Sequence, residues 1–185
     1  MKRVSENPPQ RFPDKPLYET TAPWWVAKVK PRQEKAIAFD FIKNNIEYYL
    51  PLIVKVTRRK DNNKPRKSIL PLFPGYISFC ADNFTAPKIY KTGRVVSVIT
   101  VKNQKRFLED LMQIYYALEN GADLMPVNER YEEGDLVYIS DGPFKGLKGT
   151  ISKIHENNRL ILSVNGLGKA SMSININFVK PISKN

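Results

Sequence analysis

The sequence predicts an α+β protein of two small domains. The first is an α/β sandwich, an antiparallel sheet with flanking helices and a long basic β-hairpin, and the second is a small β-barrel. Three observations predict this. Strand-like runs alternate with two helical stripes as far as residue 120. A polar, proline-bearing stretch without periodicity then follows, "GADLMPVNERY" at 121–131. Beyond it every apolar run is short and strand-like, with glycines between. At 185 residues, 42% hydrophobic and 26% charged, the chain can bury two modest cores.

Residues 1–23 hold Pro8, Pro9, Pro13, Pro16 and Pro23 and no apolar run. They read as a flexible tail of a cytoplasmic protein, neither a signal peptide nor a membrane segment. "WWVAKVK" (24–30) alternates as a strand does. Pro31 precedes a stretch with Ile37, Phe41, Ile42 and Ile46 at helical spacing. Asn44-Asn45 ends that helix, since asparagine tolerates the left-handed conformation usually left to glycine. The apolar runs "YYLPLIVKV" (48–56) and "SILPLFPGYISFC" (68–80) are joined by "TRRKDNNKPRK", whose Asp-Asn-Asn and Pro65 mark a turn. The result is one long hairpin with a basic tip.

"RVVSVIT" (94–100) is a further strand, and Phe107, Leu108, Leu111, Ile114, Tyr115 and Leu118 make the apolar stripe of a second helix closed by Gly121. The first domain therefore covers 24–120, with a linker at 121–130. Domain 131–182 carries strands at 136–139, 148–154, 159–164, 169–176 and 178–182. The glycines of "GDLVYISDGPFKGLKGTISKI" (134–154) serve its sharp corners and close backbone approaches. No Gly-Lys-Ser/Thr follows them and no helix starts there, so they are not a phosphate cradle.

The formal net charge is +12, and residues 1–126 hold 22 Lys and Arg against 12 Asp and Glu, whereas the remainder holds 8 against 6. Positive potential concentrated in the first domain suits nucleic acid or an acidic protein surface. The lone Cys80, inside "YISFC", cannot form an internal disulfide and reads as a buried strand residue; the lone His155 gets the same reading. With one of each and no spaced carboxylate cluster, neither a metal site nor an activated nucleophile assembles. The expectation is a protein without cofactor, metal or enzyme activity; a basic nuclease would need the metal site that is missing.

"EEGDLVYISDGPFKGLKGTISKI" (132–154) resembles the KOW motif, and "PLFPGYISF" (71–79) resembles the strand signature of the NusG N-terminal domain. Their order and separation extend the resemblance over 24–182, and it implies a NusG-type sandwich followed by an SH3-like KOW barrel. The resemblance further implies a bacterial transcription elongation factor. Its N-terminal domain would grip the clamp helices of RNA polymerase, and its KOW domain would recruit another factor, such as a small-subunit ribosomal protein or Rho. "VKPRQEKA" (29–36), "YYLPL" (48–52) and Leu167, where housekeeping members usually carry Phe, are similar to specialised paralogues such as RfaH and the UpxY-type capsule-operon antiterminators of Bacteroidetes. That implies antitermination on a specific set of long operons, such as those for surface polysaccharides, by a monomer with no membrane attachment. The alternative is a ribosome-associated KOW-type RNA-binding protein.

The same resemblance assigns polymerase binding to Phe73, Pro74 and Tyr76, with Trp25 completing the pocket. Phe73 and Tyr76 share a side of a regular strand only if Pro74-Gly75 breaks the pleat. The reading is thus an exposed aromatic patch of Trp25, Phe73 and Tyr76, with Phe79 in the core. On the hairpin, Lys55, Arg58, Arg59, Lys60, Lys64, Arg66 and Lys67 stand against a single acid, Asp61. The family's hairpin lies beside upstream DNA, so phosphate contact and a merely solvated charge run are both open. Lys30 and Arg32 are a second nucleic-acid candidate, directed at the non-template strand. Phe144 and Leu167 are assigned to the KOW partner. Pro143, Gly166, Gly168 and the alternation of "SMSININF" (171–178) disfavour the helical form that relatives of RfaH give this segment. A constitutive barrel on a mobile linker is expected, with the aromatic patch always open.

Overall fold

The computed structural model describes residues 7–20, 22–59, 61–127, 134–154 and 157–182. The chain divides into two compact units, residues 1–104 and 105–185. In the first, β1 (Arg11–Phe12), β2 (Trp24–Val29), α1 (Glu34–Lys43), β3 (Glu47–Tyr49), β4 (Leu52–Arg58), β5 (Pro65–Pro71), β6 (Tyr76–Cys80) and β7 (Val95–Thr100) follow in turn. Five strands form an antiparallel sheet in the order β1-β3-β6-β2-β7, and β4 pairs with β5 alone. α1 supplies Ile37, Ala38 and Phe41 to a core shared with Ala27, Val29, Tyr48, Ile77 and Phe79 of one sheet face. The helix stops as the Asn-Asn pair predicts: Asn44 Nδ2 donates to Asp40 O at 2.7 Å, and Asn45 takes φ 53°.

Two expectations for this unit change. The single long hairpin is broken at its waist, because Pro51 and Pro71 offer no N–H to a ladder and residues 72–75 turn. Consequently β3 and β6 stay in the main sheet while β4 and β5 leave it as a separate ribbon. Residues 7–20 are also not a free tail. β1 pairs with β3, Arg11 opposite Tyr49 and Phe12 opposite Tyr48. Leu50 N donates to Gln10 O (2.6 Å), the Tyr48 hydroxyl donates to Pro9 O (2.8 Å), and Lys15 pairs with Glu47 at 2.7 Å. The prolines that suggested disorder instead restrict the backbone of the segment, which leaves less conformational freedom to be lost on docking.

The second unit contains α2 (Gln104–Glu119), whose first residue lies at the boundary, then β8 (Met125–Pro126), β9 (Leu136–Ile139), β10 (Lys148–Ile154), β11 (Asn157–Val164), β12 (Gly168–Ser173) and β13 (Val179–Pro181). The strands form one antiparallel sheet ordered β13-β9-β10-β11-β12-β8. Val137, Ile139, Leu147, Leu160, Leu162, Ala170 and Met172 are among its buried apolar side chains. No α-helix occurs among the described residues of 134–182, in keeping with the strand reading of the KOW segment.

The expected first-domain limit at residue 120 falls one helix later than this division. α2 is tied to the sheet unit: Lys148 N donates to Gln113 Oε1 (2.7 Å) and the Tyr116 hydroxyl donates to Pro143 O (3.2 Å). The expected linker is partly structured as well, since Met125 and Pro126 lie opposite Ser171 and Ala170, and Val127 N donates to Lys169 O at 3.0 Å. The rest of the linker reading, 128–130, and the domain start at 131–133 lie outside the described residues, as does His155. We expect amide exchange to record this: the Val127 N–H should be protected, and exchange at the rate of an open chain would overturn the pairing.

Candidate functional site

The basic ribbon is built by its own sequence. β-branched residues Ile53, Val54, Val56 and Thr57 surround Lys55 in β4, and Pro65 and Pro71 bound β5. Arg59 N donates to Lys64 O (2.9 Å), Asn63 N to Arg59 O (3.0 Å) and Lys64 N to Asn62 Oδ1 (3.1 Å), while Asn63 adopts φ 55° to close the turn. Cross-strand partners share a face. Lys55 opposite Ser68 and Thr57 opposite Arg66 define one face; Val54 opposite Ile69, Val56 opposite Lys67 and Arg58 opposite Pro65 define the other. The cations therefore occupy both faces, and Val54 and Val56 are each 58% exposed between them.

Lys55, Arg58, Arg59, Lys64, Arg66 and Lys67 are all exposed, and among the described residues no ion pair engages any of them. Lys60 lies outside the described residues. Unneutralised charge on an arm with no core of its own raises the local positive potential without serving the fold.

Lys30 and Arg32 fall at the turn into α1. Lys30 N donates to Arg94 O (2.9 Å) and its Nζ to Gly93 O (2.7 Å), while Arg32 sits at φ 63°. An open concavity of about 480 Å³ is lined here by Lys30, Pro31, Gln33, Thr92, Gly93 and Arg94. Arg94 was not legible as a site residue. It is fixed by Asp40 Oδ2 (2.8 Å) and by the Gln33 side-chain oxygen, partners 54 and 61 positions away, and only the leading arginine of "RVVSVIT" hinted at it.

The aromatic patch does not assemble. Trp25 lies opposite Phe79 in register, hence on the α1 face, and packs against that core with its Nε1 donating to Ala81 O at 2.9 Å. Tyr76 lies opposite Lys28 on the other face and is half-buried. Phe73 is 3% exposed and so is a buried side chain. The expected break is present: Gly75 has φ 85° and its N–H donates to Glu34 Oε1 at 2.7 Å, while Tyr76 N donates to Phe73 O. It turns Pro74 outward, however, and not Phe73. Parity on β2 decided the outcome, and one sequence read alone does not reveal register.

We therefore expect Phe73→Ala to lower stability by about 3–5 kcal/mol, the range for emptying a buried phenylalanine site. A denaturant titration checks this, and an unchanged midpoint would restore the surface reading. Of the KOW pair, Phe144 is half-buried in the turn before Leu147, whereas Leu167 is 4% exposed and cannot serve as a surface anchor in this arrangement. Cys80 is buried, and burial, followed by the Glu47 carboxylate, pushes its thiol up, which keeps it inert. Among the described residues no group of His, Cys, Asp and Glu could hold a metal ion, and no helix is long and apolar enough to cross a membrane.

Comparison with known proteins gives the frame for this geometry. The family described as transcription termination factor NusG matches residues 22–115, and the KOW motif matches residues 133–164. The sequence is similar to the transcription termination/antitermination protein NusG of Rickettsia typhi, 38% identical over 174 residues that cover 85% of this chain and 88% of that protein. It is also similar to the same-named proteins of Rickettsia prowazekii (37% over 174 residues) and Rickettsia conorii (26% over 171 residues), with the same shares of each chain covered. With one family match over half its length, the KOW motif after it and relatives across most of both, the chain belongs to the NusG family of transcription termination/antitermination factors.

Proposed function

We propose that this protein is an antitermination factor of the specialised kind, like the RfaH and UpxY-type paralogues. In this reading its first unit docks on the RNA polymerase clamp helices and its basic ribbon holds the phosphate backbone of upstream or non-template DNA. Lys30, Arg32 and Arg94 form a second contact for the displaced strand. The KOW unit recruits a further factor, a small-subunit ribosomal protein or Rho, and the targets are a limited set of long operons such as those for surface polysaccharides. The reading is non-catalytic.

The observation that carries it is the set of exposed cations on a ribbon that pairs with no other strand, none in an ion pair among the described residues. A domain stabilised for its own sake would not gather them there, because like charges destabilise one another. In this reading the turn with exposed Pro74 and half-buried Tyr76 faces polymerase.

Reconstituted elongation with purified polymerase on a template carrying a terminator tests the proposal. The expected result is increased readthrough and co-purification with polymerase, with Pro74→Ala/Tyr76→Ala weakening both while leaving the fold intact. Co-sedimentation with ribosomal subunits, without any effect on elongation, would overturn it in favour of a ribosome-associated RNA-binding role.

A further inference from the structure

We infer that residues 7–17 form a brace that fixes the direction of the basic ribbon; that this direction matters for DNA rests on the function proposed above. Among the described residues the ribbon has no strand partner beyond its own hairpin, and an isolated two-stranded hairpin is marginal in water. Its direction must therefore be set at its root, and the N-terminal segment meets the root directly on β4 and through Lys35 of α1 on β5. On β4, Leu52 N donates to Gln10 Oε1 at 2.8 Å, one residue pair beyond the backbone bond from Leu50 N to Gln10 O. On β5, the Lys35 ammonium of α1 donates to Ile69 O and to Asn7 Oδ1, each at 2.6 Å. One ammonium thus joins helix, ribbon and N-terminal segment. Burial lowers its pKa from the usual lysine value, against the opposing effect of Glu34, while both bonds lie at the exposed surface and are charge-assisted.

The segment itself is anchored well away from the ribbon. β1 pairs with β3, Pro8 and Leu17 are buried, and Lys15 bonds Glu47. Its prolines restrict the backbone before docking, which favours a strut over a tether. It also lies outside the stretch matched by the NusG family, which begins at residue 22. Leverage makes the root decisive: seven residues of β4 extend about 23 Å, so a swing of roughly 10° at the root carries the tip about 4 Å, more than a hydrogen bond tolerates.

The test uses the full-length chain with spin labels at Asn62→Cys in the ribbon tip and Lys43→Cys at the end of α1; buried Cys80 stays unlabelled in the native protein. Asn7→Ala/Gln10→Ala removes both side-chain acceptors but keeps the β1–β3 pairing. The expected result is a tip-to-helix distance distribution at least twice as wide as in the parent, with α1 and sheet signals unchanged, whereas Tyr18→Ala, on the exposed side of the same segment, leaves the width as it was. Affinity for a DNA duplex with an unpaired stretch should fall five- to tenfold in the double variant. An unchanged width would overturn the brace, and so would an unchanged DNA affinity in a protein whose affinity does depend on Arg58 and Arg59. If the width doubles but the parent's DNA affinity is indifferent to Arg58 and Arg59, the brace stands and the nucleic-acid role of the ribbon fails.

Discussion

Glutamate in place of Arg58, Arg59, Lys64 and Arg66 together is expected to abolish measurable DNA binding while leaving the melting temperature nearly unchanged. Each phosphate contact contributes about 0.9 to the slope of log affinity against log salt, so three or four lost contacts correspond to on the order of a thousandfold at 0.1 M salt. The fold should be indifferent, because all four side chains are exposed and none is ion-paired among the described residues. Thr57–Arg66 and Arg58–Pro65 lie on opposite faces, so the variant removes charge from both sides of the ribbon at once. Fluorescence anisotropy across a salt series reads the slope directly. A slope equal to that of the parent chain would show that the ribbon's charges are only solvated.

A stability effect of the same order as that at Phe73 is expected in the second unit, at Gly134 and Gly149. A Cβ built on Gly149 would meet the backbone carbonyl of Ile161 as well as the Leu160 side chain, and one on Gly134 would meet the backbone carbonyl of Ile151. Backbone cannot rotate aside as a side chain does, so the strands must part. Gly149→Val should therefore cost about 3–4 kcal/mol, which for a unit of this size lowers the melting temperature by about 12–32 °C. Gly146 is the control. It needs φ 92° but has nothing within contact distance, so Gly146→Ala pays only the conformational strain of about 1–2 kcal/mol. Equal losses at Gly146 and Gly149 would show that turn geometry, not close approach, is what these glycines serve.

Local signals were legible where one residue type settles one backbone state. Asn45 and Gly121 end their helices at φ 53° and 76°, as their chemistry predicts, and "WWVAKVK" is a strand because its alternation has no helical rival. What failed needed information from distant partners. The sequence groups Trp25 with Phe73 and Tyr76, yet its face is dictated by its pairing with Phe79, 54 positions later. Arg94 escaped notice because Asp40 and Gln33 complete its setting from across the fold. Residues 7–20 and 125–127 looked unstructured because such short strands carry no periodicity, and their stability comes from the sheet that receives them.

The two-residue strands have another consequence, for self-association. A sheet edge presents unpaired N–H and C=O groups that can template a foreign strand. Three of the four outer edges of the two large sheets are β1, β8 and β13, of two, two and three residues, and each ends in or runs into a proline: Pro13, Pro126 and Pro181. Too short to recruit a long strand and unable to donate at their ends, they work as stoppers. The fourth edge, β7, is longer, and there Val98 N donates to the Tyr90 hydroxyl at 3.1 Å, which occupies a donor at its middle. Beyond its root, where Leu52 N and Ile69 O are engaged, the ribbon pairs with no further strand among the described residues, and its dense positive charge makes two copies repel. The residues that cap these sheet edges are thus few and inconspicuous, and trimming the N-terminus to residue 17 or excising 121–127 would expose β3 or β12 as new seeds for aggregation.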